Sequence, residues 1–266
     1  MSDRPFILVT NDDGINAPGI QALYQSMREI GEVAVVAPDR EMSAAGHAIT
    51  LSHPLRATEV ELKGDLTGYA VNGTPADCVK IAVKAILNRM PDLVVSGINL
   101  GNNTGINVIY SGTVSAATEG VILGIPGIAF SLATYEKPDF RAAGRIAGYL
   151  SREVLEKGLP ENTLLNVNIP AGTMEDIQGC RVTKQGKGLF NERFDKRVDP
   201  RQRTYYWMTG ERGTIEEEEG ADERVVREGF VSVTPIHYDL THYAFLELLK
   251  QWPVFSNGRF DIKGGK

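Results

Sequence analysis

Cysteine is scarce in the 266 residues, with Cys78 and Cys180 the only two. Two thiols can supply neither a disulfide framework nor a four-thiolate zinc site. The four histidines, His47, His53, His237 and His242, show no metal-ligand spacing, and each reads as a structural or surface residue. Long apolar runs are lacking as well. The longest, 33–38 and 125–132, fall far short of the about 20 residues that a membrane span needs. The opening Met-Ser-Asp-Arg-Pro leads straight into a strand-like segment, without a secretory apolar region or cleavage site. Nor is there an excess of positive charge: 28 Lys plus Arg face 34 Asp plus Glu, a net of −6. That balance argues against a binder of duplex nucleic acid working by bulk basicity. There is no Walker lysine motif, no Gly-x-Gly-x-x-Gly after the first strand and no Gly-x-Ser-x-Gly. ATPase, dinucleotide and serine-hydrolase readings thereby lose their main support. The expectation is a soluble, cytoplasmic protein with no membrane contact.

What is present is an alternation of apolar strands and amphipathic helices. Residues 6–10 form a short apolar run that stops at Asn11-Asp12-Asp13-Gly14, a set of turn formers. Pro18 suits a first helical turn, and Ile20, Leu23, Met27 and Ile30 follow at helical spacing before Gly31. Strand patterns recur at 33–36, 92–96, 127–130 and 164–170, with helices expected from Thr74, from Ser111 and over 139–157. Continuous apolar strands between amphipathic helices predict a doubly wound, mostly parallel α/β sheet of Rossmann-like type, covered on both faces. Residues 1–170 form that core. Residues 171–266 read as an extension of hairpins and loops with a terminal helix over about 241–251.

The net charge hides a division. Residues 1–130 sum to −5, whereas 181–203 carries +5 and 211–228 carries −5. The last two stretches are expected to pair across an extended arm, within or between subunits, leaving some basic side chains near an anionic substrate.

In an open parallel sheet, ligands bind beyond the carboxyl ends of the strands. Three such ends deliver oxygen-bearing side chains: Asn11, Asp12 and Asp13; then Asp39, with Ser43 nearby; then Ser96 and Asn99. An all-oxygen set suits a hard cation such as Mg²⁺, Mn²⁺ or Ca²⁺. Adjacent Asp12 and Asp13 would repel unless a positive charge lay between them. Locally, though, Asp-Asp-Gly also fits a plain strand-to-helix turn. Ser111-Gly112-Thr113 precedes a helix, where free N–H groups and hydroxyls can hold an anion, and where Ser111 can equally be an ordinary N-cap. Asn103 lies in the polar loop 99–105 that leads there.

Several motifs occur in order and at matching spacing: Val9-Thr10-Asn11-Asp12-Asp13-Gly14, Val36-Ala37-Pro38-Asp39 with Ser43-Ala44-Ala45-Gly46-His47, and Gly73-Thr74-Pro75-Ala76-Asp77-Cys78. They continue with 95–103 and Tyr110-Ser111-Gly112-Thr113-Val114. Over about residues 6–170 this pattern resembles the survival protein SurE family. The resemblance implies a divalent-metal-dependent phosphatase acting on nucleoside 5′- and 3′-monophosphates, with one ion per subunit held by Asp12, Asp13, Ser43 and Asn99. It also implies a homodimer or homotetramer that exchanges a C-terminal arm. Asp12 and Asp13 are the expected catalytic carboxylates, and Asn103, Ser111, Gly112 and Thr113 the expected phosphate contacts. Three alternatives remain at this point. An aspartyl phosphatase of the haloacid dehalogenase type needs Asp-x-Asp, with an acid where Asn11 stands. A non-catalytic nucleotide-binding stress protein, or a stress-related scaffold, would need no turnover.

Overall fold

A computed structural model describes residues 4–62, 66–136, 138–188, 190–212 and 218–256. Strand β1 (Phe6–Thr10) lies in the middle of a nine-stranded sheet, and the chain winds away from it in both directions. After helix α1 (Pro18–Met27) comes β2 (Glu32–Pro38), parallel to β1. Beyond β2 lie β3 (Ala57–Leu62) and β4 (Leu66–Val71), with β4 parallel to β2 and β3 antiparallel to β4 at the edge. The sequence reading had placed no strand there.

Helix α2 (Pro75–Ile81) and a π-helical turn (Ala82–Ile86) then return the chain to β5 (Leu93–Leu100), on the other side of β1. Helices α3 (Asn107–Tyr110) and α4 (Gly112–Ile122), β6 (Gly127–Ala133), α5 (Phe140–Lys157) and β7 (Thr163–Pro170) complete the parallel run. The winding therefore reverses between β1 and β5, the place where a doubly wound sheet opens a crevice.

Period-two alternation along β1 separates the two faces. Ile7 and Val9 join the cluster under α1 and α5, with Ile20, Leu23, Met27, Ala143 and Ala147. Leu8 joins the opposite cluster with Val36, Val79 and Val94 under α2. Close helix approach is built in at Gly19, where an added Cβ would meet the Ile98 carbonyl oxygen at 1.9 Å.

Helix α2 starts as its sequence predicts. Thr74 accepts from the Asp77 amide while the Asp77 carboxylate accepts from the Thr74 amide at 2.9 Å, a reciprocal cap. Burial opposes ionisation of Asp77, yet hydrogen bonds from Thr50 and Thr74 outweigh it and hold the carboxyl below its ordinary value. Stability from such a group is present above the unfolded pKa, about 3.9, and is lost as pH falls through the folded value. Asp77→Asn is thus expected to lower stability by about 1 kcal/mol at neutral pH. The gap to the parent should close below about pH 4 in acid melts; a gap independent of pH would contradict it.

Past Pro170 the chain returns to the sheet. Strand β8 (Cys180–Val182) is followed by a two-stranded antiparallel hairpin, β9 (Phe190–Val198) and β10 (Thr204–Arg212), and by helix α6 (Asp222–Arg227). Strand β11 (Val231–His237) then pairs antiparallel with β7 and parallel with β8. The terminal helix is shorter than its pattern predicts. Helix α7 spans Tyr243–Leu249, and His242 caps it by accepting the Phe245 amide; α8 (Pro253–Ser256) follows. The oppositely charged stretches do meet within the chain: Glu218 pairs with Lys184 and Lys187, and Glu228 with Arg181. Of the acidic run 216–219, Glu216 and Glu217 lie outside the described residues. The two cysteines are free, Cys78 buried and Cys180 exposed.

Candidate metal and phosphate site

The carboxyl ends of β1 and β5 lie side by side, Thr10 opposite Ser96 in register. The first residues past β1 turn sharply: the Asn11 side-chain amide donates to the Gly14 carbonyl, and Gly14 adopts φ +93°. A Cβ at Gly14 would sit 3.0 Å from the Arg40 carbonyl carbon, so the loop after β2 packs directly on this turn. That turn sets two carboxylates side by side, Asp12 buried and Asp13 half-buried.

Asp12 receives the Thr113 hydroxyl from the start of α4. Burial pushes its pKa up, Thr113 offsets part of that, and Glu41 adds a further upward push. Asp13 receives the Leu100 amide at 3.2 Å. Its pKa is pushed up to about 6, by burial first and then by the charge of Asp12. Among the described residues no lysine or arginine forms an ion pair with either carboxylate. Two desolvated acids without a cationic partner make a poor resting arrangement by themselves.

The surrounding atoms point the same way. Thr10 Oγ1, Asn11 Oδ1 and Ser96 Oγ are buried around this end of the sheet without hydrogen-bond partners among the described residues. The donor atoms are all oxygen, and a hard divalent cation fits them. Asn99 spends its side-chain N–H on the Gly101 carbonyl at 2.7 Å, which leaves Oδ1 as its donor to a cation. A register shift between Ser96 and Asn99 re-aims the end of β5. Ser43 stands on the loop that the Met42 amide ties to the Asp12 carbonyl at 2.7 Å, but its hydroxyl donates to Glu41 Oε1. The structure thus brings Asp12, Asp13 and the Asn99 segment together directly, while the Ser43 hydroxyl faces Glu41.

Helix α4 points its N-terminus at the dyad. Gly112 is pressed so close that a Cβ there would lie 2.7 Å from the Asp12 Cβ and 3.1 Å from Pro75 Cγ. Ser111 caps the helix by accepting the Val114 amide, so its oxygen serves the ordinary N-cap. Thr113 spends its hydroxyl on Asp12. Asn103 is buried, donates to Ser131 Oγ at 2.8 Å, and has both backbone groups held by Asn166 and Asn168.

Sequence reasoning missed one buried acid here. Glu119, in the middle of α4, accepts from Lys80 and bonds His47, tying the Ser43 loop to α2 and α4. Burial opposes its ionisation, but the bonds from His47 and Lys80 prevail and lower its pKa. Helical phase does not flag it, since every position of α4 from Gly112 to Val121 is buried. Of the basic groups in 181–203, Lys184 and Lys187 are engaged by Glu218.

Comparison with known proteins finds relatives along most of the chain. The profile of the family described as survival protein SurE matches residues 7–192. A 5′-nucleotidase SurE of Geobacter sulfurreducens is 51% identical over 250 residues, covering 93% of this chain and 94% of the relative. One from Symbiobacterium thermophilum is 51% identical, covering 92% and 97%. A crystal structure of the Sure protein from Aquifex aeolicus superposes with TM-score 0.81 at 45% identity, covering 92% of this chain and 98% of that one.

Proposed function

The chain belongs to the survival protein SurE family and is a metal-dependent 5′-nucleotidase, a phosphoric monoester hydrolase; from that premise we propose how its own residues carry the reaction. Asp12, Asp13, Asn99 Oδ1 and, after turning from Glu41, the Ser43 hydroxyl hold one Mg²⁺, Mn²⁺ or Ca²⁺ ion. The observation that carries this is the pair of adjacent, desolvated carboxylates without a cationic partner among the described residues, beside orphaned buried oxygens. When bound, the ion supplies a Lewis acid for the phosphoryl group and makes water more acidic.

The chain's other groups then do the positioning. The amides at the start of α4, around Gly112 and Thr113, bind phosphate oxygens where the helix leaves N–H groups without internal acceptors. Asn103 steadies the same oxygens as charge shifts between them. Thr113 fixes the orientation of Asp12 through its hydroxyl. Asp13, the more accessible acid, takes the proton from the attacking water. Substrates are nucleoside 5′-monophosphates and, in our reading, 3′-monophosphates too. No described helix is long and apolar enough to cross a membrane, and we place the protein in the cytoplasm.

The hairpin β9–β10 exposes Phe194, Tyr206, Trp207 and Met208, and the segment from α7 through α8 exposes Phe245, Trp252 and Phe255. These surfaces support a homodimer or homotetramer through an exchanged C-terminal arm. Sedimentation velocity reads this directly, a monomer at micromolar concentration counting against it.

Phosphate release from a panel of nucleoside 5′- and 3′-monophosphates, with and without chelator, tests the chemistry. We expect turnover that chelation abolishes and added Mg²⁺ or Mn²⁺ restores, with no trapped phosphoenzyme. Binding without turnover would leave a nucleotide sensor. A phosphoenzyme would revive the aspartyl-phosphatase reading, although Asn11 stands at the position that route needs and spends its amide on Gly14.

A further inference from the structure

Asp222 is another buried acid, outside the metal end, and the chemistry above makes no use of it. Its side chain is fully inaccessible and accepts three backbone amides: Gly105 at 3.1 Å, Gly186 at 2.8 Å and Glu223 at 2.9 Å. Its own amide donates to the Lys184 carbonyl at 3.0 Å. Gln185, from the same segment, donates its side-chain amide to the Gly105 carbonyl at 2.8 Å. Both backbone groups of Gly105 are therefore held by residues 80 and 117 positions away in the chain.

Gly105 ends the polar loop that carries Asn103, and φ +55° there places it in the left-handed region that glycine favours. The other side of that loop is gripped by Asn166 and Asn168 through the backbone of Asn103. A loop with few apolar anchors is a low-stability element unless its backbone groups are tied down. Here the ties come from β7 on one side and from the segment around α6 on the other. Burying a carboxylate is costly unless its oxygens are fully used, and here three N–H donors use them.

We propose that Asp222, with Gln185, is a positioning residue for nucleotide hydrolysis: it staples the Asn103 loop in the geometry that meets the phosphate. The chain beyond Pro170 is then part of the working site and not solely a means of association. This rests on the reading of Asn103 as a phosphate contact, and the test separates the two.

The experiment is a double-mutant cycle on the full-length, metal-loaded enzyme, using Asp222→Asn and Asn103→Ala with a nucleoside 5′-monophosphate. Asp222→Asn keeps the shape but sets an N–H donor where an acceptor is needed. Its kcat/KM is expected to fall on the order of ten- to a hundredfold, as for a displaced binding group. The Mn²⁺ concentration giving half activation should stay at the parent value. In the Asn103→Ala background the same change should cost less than about twofold more, because the two act as one unit. Gln185→Leu, at an exposed position, should reduce kcat/KM in the same direction and also fail to multiply with Asn103→Ala; it serves where Asp222→Asn fails to fold. Parent activity in both variants, or losses that multiply in the double variants, would overturn the proposal. Should Asn103→Ala alone keep parent activity, the Asn103 reading falls. Asp222→Asn then decides alone: a fall with an unchanged Mn²⁺ midpoint supports the staple, and no fall overturns it.

Discussion

Asp12→Asn is expected to yield a folded protein whose metal-stimulated hydrolysis of a nucleoside monophosphate falls at least about a hundredfold, and whose metal-free form melts higher than the parent. The two effects share one cause. Asp12 is almost completely buried, its charge is opposed by burial and by Glu41, and Thr113 is the main group that favours it. Without a cation this is an expensive arrangement, so a neutral isostere relieves it by on the order of 1 kcal/mol. The Thr113 hydroxyl can still donate to the new side-chain oxygen, so the local packing survives. With the cation, the same charge is the reason the ion binds. Several kcal/mol of charge stabilisation depend on it, and each 1.4 kcal/mol is about tenfold in rate. Thermal melts with rising Mn²⁺ provide the second readout. The parent should gain about 2.7 kcal/mol at a hundred times its dissociation constant, and the variant almost nothing. A variant with parent activity, or with the parent's Mn²⁺ stabilisation, would contradict the assignment of Asp12.

Gly112→Ala is expected to be nearly as damaging, although alanine is the better helix former by about 1 kcal/mol. The added methyl carbon would stand 2.7 Å from Asp12 Cβ, 3.0 Å from Asp12 Oδ2 and 3.1 Å from Pro75 Cγ. None of these is the loose end of a flexible chain, so the start of α4 must draw back. Withdrawal breaks the Thr113 contact to Asp12 and moves the helix amides off the phosphate. A loss of kcat/KM on the order of a hundredfold follows from a displacement of about 1 Å. Overpacking adds a destabilisation of about 1–3 kcal/mol. Gly148→Ala is the matched control. In α5 its added carbon meets Ser26 no nearer than 3.8 Å, an ordinary contact. That change should raise stability by about 1 kcal/mol and leave kcat/KM unaltered. Equal behaviour of the two substitutions would show that the closeness of Gly112 to Asp12 is unimportant.

Elements that are apolar on both faces were readable in the sequence because burial on two sides leaves a continuous signal. Phe6–Thr10, the first half of Leu93–Leu100 and most of Gly127–Ala133 are of that kind. Strand β3 was not, since only Val60 and Leu62 are even partly buried, and an alternation of two apolar residues is too short to stand out. The convergence of Asp12, Asp13 and Asn99 was legible for a topological reason. Strand ends in a doubly wound sheet must meet at the reversal point, whatever the loops do. Asp222 was not legible, because it sits in a run of charges that reads as a solvated surface. Its burial depends on Gly105, 117 residues away, and on a β7–β11 pairing that no local pattern announces. Glu119 was hidden likewise, its partners His47 and Lys80 lying 72 and 39 residues away.

The staple at Asp222 also imposes an order in time. On a ribosome the chain appears from its N-terminus at about 5–20 residues per second. Asp12 meets Thr113 across 101 residues, whereas Gly105 must await a group 117 positions downstream. Once the start of α4 has emerged the carboxylate pair can assemble; Asn166, Asn168 and Gln185 reach the adjoining loop next, and its last tie, at the Gly105 amide, comes roughly ten seconds after α4. A nascent chain thus has the groups of its cation-holding end in hand before its substrate-holding loop is fully tied.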